Sequence, residues 1–144
     1  MQPTLSIVIP THNRIEQLRS LVGRFRKMMS ELDAINKVEL VVIDDGSTER
    51  FFNETFEEVI LLRNATCLGA PASRKIGFQH STGNYVHFHD SDDDISDNWL
   101  EGILNSIATT QFDYLFTPRV ARTANDVIGK LEEPKALQSL LSLP

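Results

Sequence analysis

Three times in its first ninety-four residues the chain runs through a short strand-like stretch, nearly all apolar in the first two and alternating in the third, and stops at a polar cluster. Leu5–Pro10, LSIVIP, gives way to Thr11-His12-Asn13-Arg14. Val38–Ile43, VELVVI, gives way to Asp44-Asp45-Gly46-Ser47-Thr48. Asn84–His89, NYVHFH, gives way to Asp90-Ser91-Asp92-Asp93-Asp94. The first two runs are rich in β-branched residues and lack the alternation of a half-exposed strand, as expected where a strand is covered on both faces. Helical periodicity fills the gaps, and strands alternating with helices specify an α/β fold with a mostly parallel sheet and helices on both faces. In such sheets ligands bind beyond the carboxyl ends of the strands, where all three polar clusters fall.

Between the first two strands Ile15, Leu18, Val22, Phe25 and Met29 recur at helical spacing, with Leu21 and Met28 widening the stripe. The helix is expected to end near Asp33–Asn36, with Asn13 or Thr11 as its cap. A short helical piece over Glu49–Phe56 leads to a third strand at Val59–Leu62. Asn64–Ala70 reads as a loop, and Pro71 opens a helix to about His80, because its missing N–H costs nothing in a first turn. After the fourth strand, Ser96 or Asp97 caps a helix whose face is Trp99, Leu100, Ile103, Leu104 and Ile107. Phe112–Thr117 reads as a fifth strand, and a short helix follows Pro134. Residues 1–120 form the expected core, and 121–144 an extension or the start of a further half.

Composition excludes several classes. With 144 residues, 41% hydrophobic and 24% charged, the chain suits one core. One cysteine, Cys67, cannot form an internal disulfide, so a reducing, cytoplasmic setting is the default. A formal charge of -6 argues against nucleic acid as the partner. Arg14, Arg19, Arg24, Arg26 and Lys27 cluster on the first helix. They read first as a solvated face, with peripheral membrane association through anionic lipid as the alternative.

The chemistry concentrates in the acidic stretch, where Asp90, Asp92, Asp93, Asp94 and Asp97 lie within eight residues. Carboxylates this close repel unless something positive sits among them, and a hard divalent cation with oxygen ligands is the usual answer. Asp90 and Asp92, two apart at a strand end, suit Mg²⁺ or Mn²⁺ with positions left for phosphate oxygens; an acidic loop before a helix is the plain alternative. A calcium loop of the EF-hand type fits Asp90, Asp92, Asp94, Asn98 and Glu101 by spacing, but Ile95 stands where glycine is required and the entering segment reads as a strand. His87 and His89 share one strand face and read as partly buried histidines. At the second cluster, Gly46 permits a close approach and a carboxylate can accept a base N–H. Arg74, on the helix opened by Pro71, can serve a base, ribose or phosphate.

Taken together, LSIVIPTHNR, VELVVIDDGST, the segment Asn64 to Phe78 with LGAPASRKIGF, and STGNYVHFHDSDDD resemble, in order and spacing, the family 2 glycosyltransferases of GT-A fold. The resemblance covers roughly residues 4–108. It implies a nucleotide-sugar donor, a UDP-sugar by preference, held by Pro10, Thr11, His12, Asn13, Arg14, Asp44, Asp45, Arg74, Asp90 and Ser91, with Asp92 and Asp90 on Mg²⁺ or Mn²⁺. It also implies an acceptor, glycan, lipid or protein, whose hydroxyl takes the sugar with inversion. His12 stands where the family often has tyrosine. The family's acceptor-binding half, with its general base, lies further beyond the acidic motif; Glu132 and Glu133 match nothing there, so no catalytic base is assigned. The chain is expected to be the donor-binding part, with a non-catalytic nucleotide-binding or assembly module as the alternative. A phosphoacceptor signalling domain fits the placement of acids and lysines poorly.

Overall fold

A computed structural model describes residues 3–48 and 59–111, and the backbone of 120–122 and 128–130. The expected helix at Glu49–Phe56, strand at Phe112–Thr117 and helix after Pro134 lie outside these residues. Two compact units separate at Thr109 and Thr110. The second holds a two-stranded antiparallel pair, Val120–Arg122 with Ile128–Lys130.

In the first unit, β1 (Leu5–Thr11), β2 (Val38–Asp44), β3 (Val59–Arg63) and β4 (Tyr85–Phe88) form one parallel sheet in the order β3-β2-β1-β4. Helices α1 (Ile15–Glu31), α2 (Ala70–His80) and α3 (Trp99–Thr109) complete it. The first steps run β1 to β2 to β3 in one direction, and the chain then crosses back to place β4 on the far side of β1. Right-handed crossovers taken in opposite directions put their helices on opposite faces, so the order reverses between β1 and β4 and opens a crevice there.

Side chains sort by parity, as strand geometry requires. Leu5, Ile7 and Ile9 of β1, with Leu40 and Val42 of β2, meet Leu18, Val22 and Phe25 of α1 and Leu100 and Ile103 of α3. Val8, Val41 and Ile43 face the other way in a smaller cluster with Leu62 and Val86. There α2 lies close to the sheet: a Cβ on Gly77 would fall 2.3 Å from Val8 Cγ1 and 2.5 Å from Ile43 Cδ1. Phe25 is fully buried, and burying a side chain of that size contributes roughly 1.5–3 kcal/mol.

At the amino edge of the sheet Glu39 ties three segments together. It accepts hydrogen bonds from Ser6 Oγ at 2.5 Å, Thr82 N at 2.5 Å, Thr82 Oγ1 at 2.8 Å and Gly83 N at 3.2 Å. Burial pushes its carboxyl up, but these donors outweigh that and hold it below its ordinary value.

Some boundaries move. α1 stops at Glu31, before the expected Asp33–Asn36, because Asp33 turns to φ 49° and the Ala34 N–H returns to Met29 O at 2.8 Å. The residue capping α1 is Arg14, without a side-chain bond, in place of Asn13 or Thr11. α3 opens at Trp99, whose N–H reaches Ser96 O at 3.1 Å.

Candidate functional site

The loops after β1, β2 and β4 all leave the carboxyl edge of the sheet, and the loop after β1 touches the other two. The His12 ring Nδ1 lies 2.8 Å from Asp45 O, and its Nε2 lies 2.9 Å from Asn13 Nδ2. A carbonyl can only accept and an amide NH₂ can only donate, so the neutral ring carries its proton on Nδ1. Asn13 sits in the left-handed region at φ 52°, a conformation asparagine tolerates well. Its N–H donates to Ser47 Oγ at 2.8 Å, and its Oδ1 accepts from Thr48 N at 2.8 Å and Thr48 Oγ1 at 3.0 Å. One residue on, Arg14 Nη2 lies 3.2 Å from Asp92 Oδ2. Three consecutive residues therefore strap the Asp44–Thr48 loop to the Asp90–Asp94 loop.

The Asp44–Thr48 loop is built on two buried carboxylates. Asp44, expected to face a ligand, has its side chain turned inward. Its side chain is wholly inside the protein, accepting Ser47 N at 3.0 Å and Arg63 Nη1 at 2.7 Å, while Arg63 Nη2 also holds Ser47 O at 2.7 Å. Asp45 accepts from Asn64 Nδ2 at 2.7 Å and Leu68 N at 2.9 Å on one oxygen, and from Gly69 N at 2.8 Å and the Cys67 thiol at 3.4 Å on the other. Burial pushes the Asp45 carboxyl up. The Leu68 N–H, the Asn64 amide, the Gly69 N–H and the thiol more than reverse that, and it stays far below the usual carboxylate range. Gly46, at φ +66°, lets the 64–69 segment pass: a Cβ there would stand 2.5 Å from the Thr66 carbonyl carbon and 2.6 Å from Cys67 N. Asn64, which also donates to Ser73 Oγ at 3.0 Å, and Arg63 carry this architecture. Neither was assigned such a role from the sequence, because partners 16 to 19 residues away leave no local signal.

The Asp90–Asp97 loop is held differently. Ile95 plugs it into the core on the α1 and α3 side. Its aspartates meet arginines from two helices and from the loop after β1: Arg74 of α2 pairs with Asp90, Arg14 with Asp92, and Arg24 of α1 with Asp94, the Ile95 carbonyl and, at 3.4 Å, Asp97. The cationic face of α1 is thus only partly a solvated face. Arg19 and Lys27 pair along the helix with Glu16 and Glu31, whereas Arg24 crosses to the acidic loop. A cleft of about 430 Å³ opens between α1 and Ser91–Asp94.

Beneath the acidic loop, His87 packs on Trp99 with ring centroids 4.6 Å apart, and His89 meets Phe25 edge-on at 5.4 Å. His89 is buried, its Nε2 lying 3.3 Å from Asp93 O. His87 is thus a partly buried strand histidine as the spacing suggests, whereas His89, one residue past the end of β4, is buried. Thr11 lies buried at the end of β1, and its Oγ1 finds no hydrogen-bond partner among the described residues. A strand leads into the acidic loop, which excludes the helix-loop-helix frame of an EF-hand. Asp90 and Asp92 offer hard oxygen donors on the rim. Among the described residues no three His, Cys, Asp or Glu side chains gather as a ligand cage. Two carboxylates completed by phosphate oxygens and water is the ordinary protein share of a Mg²⁺ or Mn²⁺ site in phosphate chemistry, so the residues fit such an ion.

The chain matches the model of glycosyl transferase family 2 over residues 6–140, and it belongs to that family. Among its relatives are two uncharacterised glycosyltransferases of Haemophilus influenzae. One is 27% identical over 133 residues, covering 90% of this chain and 44% of the relative; the other is 34% identical over 110 residues, covering 72% and 42%. A UDP-Glc:alpha-D-GlcNAc-diphosphoundecaprenol beta-1,3-glucosyltransferase of Escherichia coli is 24% identical over 137 residues, covering 92% of this chain and 52% of that enzyme. TarS of S. aureus superposes with a TM-score of 0.57 at 24% identity, over 73% of this chain and 32% of TarS. The mannosyltransferase PcManGT of Pyrobaculum calidifontis, solved with GDP-Man and Mn²⁺, gives 0.53 at 23%, over 64% and 28%. These neighbours establish the GT-A fold. The chain spans less than half the length of the first relatives it matches. No helix among the described residues is long and apolar enough to cross a membrane.

Proposed function

We propose that this chain is the donor-binding part of a glycosyltransferase, taking a nucleotide-sugar, a UDP-sugar by preference, at the rim where β1, β2 and β4 end. One observation carries the reading: His12, Asn13 and Arg14 join the Asp45 loop to the Asp92 loop, so the carboxylates read as the base end and the phosphate end lie on one edge of the sheet. Pro10, Thr11, His12 and Asn13 line the base and ribose end. The unpartnered Thr11 hydroxyl suits a ligand hydrogen bond there. Asp45 already accepts four donors, the capacity of a carboxylate. A base N–H reaches it by displacing the weakest, the Cys67 thiol. Asp44 acts indirectly, by shaping that loop.

Asp90, Ser91 and Asp92 form the phosphate end, with Asp90 and Asp92 as ligands of Mg²⁺ or Mn²⁺. The ion supplies positive charge against the diphosphate as it departs. Arg74 and Arg14 orient the diphosphate through charge-assisted hydrogen bonds. In a whole enzyme an acceptor hydroxyl, deprotonated by a base from the acceptor-binding half, displaces the diphosphate with inversion. A non-catalytic nucleotide-binding or assembly module is the second reading, since no general base is assigned to any residue.

Titration calorimetry with UDP and GDP, with and without Mn²⁺, tests the proposal. Mn²⁺ is expected to strengthen UDP binding at least tenfold in the wild type and to have no effect in Asp92→Ala. Equal affinity in both proteins removes the metal site. Sugar transfer or hydrolysis beside binding decides between enzyme and module.

A further inference from the structure

The arginines on the acidic loop are not equivalent. Arg24 is fixed by Asp94 and the Ile95 carbonyl together. Arg74 and Asp90 are about one-third exposed, at 34% and 32% for their side chains. Arg14 and Asp92 are about half exposed, at 47% and 50%, with Nη2 3.2 Å from Oδ2. Of these links Arg14–Asp92 is the weakest; an exposed pair of this kind contributes little and exchanges readily. The root of Arg14 is nonetheless fixed: the preceding N–H donates to Ser47 Oγ, and the Arg14 carbonyl accepts the Leu18 N–H at 3.0 Å. A guanidinium on a fixed root can swing between neighbouring anions without moving the backbone.

We propose that Arg14 competes with the divalent cation for Asp92, and that a diphosphate ends the competition by drawing the guanidinium onto its own oxygens. The inference rests on the donor-site reading above and adds to it a coupling residue. With Arg14 on Asp92, a cation must displace one positive charge to gain its ligand. A diphosphate offers that charge a better partner, because guanidinium pairs with phosphate through parallel N–H bonds. Cation and nucleotide then each raise the other's affinity by the same factor, as linkage requires. The strap continues the coupling to the base end, since His12 and Asn13, adjoining Arg14, hold Asp45 O, Ser47 and Thr48. The device favours arrival of metal and nucleotide together over capture of a bare cation by five aspartates.

Electron paramagnetic resonance of free Mn²⁺, titrated with the full chain, reads the competition without any turnover. The proteins are the wild type, Arg14→Gln, and Arg26→Gln as a charge control on the exposed side of α1, the helix that Arg14 caps. Without nucleotide, Arg14→Gln is expected to bind Mn²⁺ about two- to fivefold tighter than Arg26→Gln, the scale set by losing one half-exposed ion pair. The factor by which Mn²⁺ strengthens UDP binding is expected to shrink at least as much in Arg14→Gln, and Arg14→Lys to keep part of it. Equal Mn²⁺ affinity in Arg14→Gln and Arg26→Gln, or weaker binding in Arg14→Gln, overturns the competition while leaving the donor-site reading in place. A wild type that binds Mn²⁺ but neither UDP nor GDP overturns the donor-site reading and the coupling with it.

Discussion

The two acidic loops of the rim are made from the same residue type and held in opposite ways. Asp44 and Asp45 are buried, and their partners are mostly short and stiff: backbone N–H groups, one amide and a guanidinium rooted at the end of β3. Asp90, Asp92 and Asp94 are more exposed, and their cationic partners are long arginines reaching across from other segments. Buried carboxylates saturated by fixed donors make a wall, because removing any one donor strands charge in a poor solvent. Carboxylates paired with cations that stand partly in solvent make a socket, because another cation can replace the first at small cost. A donor site needs both, a rigid surface for the base and a charge that can be handed over.

The contrast can be broken from the wall side first. Gly46→Ala places a methyl against the backbone of Thr66 and Cys67 and forces alanine to a positive φ. It is expected to cost about 2–4 kcal/mol in urea unfolding; a loss below about 1 kcal/mol would mean the 64–69 segment is not pressed against the turn. Asp45→Asn comes next, at about 2 kcal/mol, since an amide cannot accept from all four donors. It also tests a pH effect of defined sign. The native carboxyl lies below its ordinary value, so its stabilisation is complete above the unfolded-state pKa, near 3.9, and is lost as pH falls below that. Stability of Asp45→Asn should therefore fall less steeply than the wild type between about pH 5 and 2; parallel curves would contradict the assignment. On the socket side, Asp92→Ala should change stability by less than about 0.5 kcal/mol, because its partner is half exposed. A cost matching Asp45→Asn would erase the distinction between wall and socket.

Much of this frame was legible in the sequence. The strands declared themselves because β1 and β2 are covered on both faces, so nearly every residue of LSIVIP and VELVVI had to be apolar. Convergence of the polar clusters followed from parallel strands, which end on the same edge. What stayed hidden was long-range. Asp44 and Asp45 are adjacent and alike in sequence, yet which donors surround each was set by Arg63, Asn64 and the chain at 67–69. Arg24 sat in a basic run whose neighbours do pair along the helix, and its spacing carries nothing to mark a reach of 70 residues. The end of α1 escaped for a different reason: an apolar stripe says where a helix packs, while its stop depended on Asp33 entering the left-handed region.

Gly77 faces Val8 and Ile43 of the sheet, yet it governs how far the rim's chemistry can extend. Because nothing but hydrogen separates α2 from Val8 and Ile43 at that point, the helix rides low on the sheet, and Arg74, one turn earlier, comes level with Asp90. Any larger residue at position 77 acts as a shim, lifting the helix off its bed and carrying the guanidinium out of register with its carboxylate. The calibration of a polar contact at the surface is thus delegated to a missing methyl group on the underside of a helix.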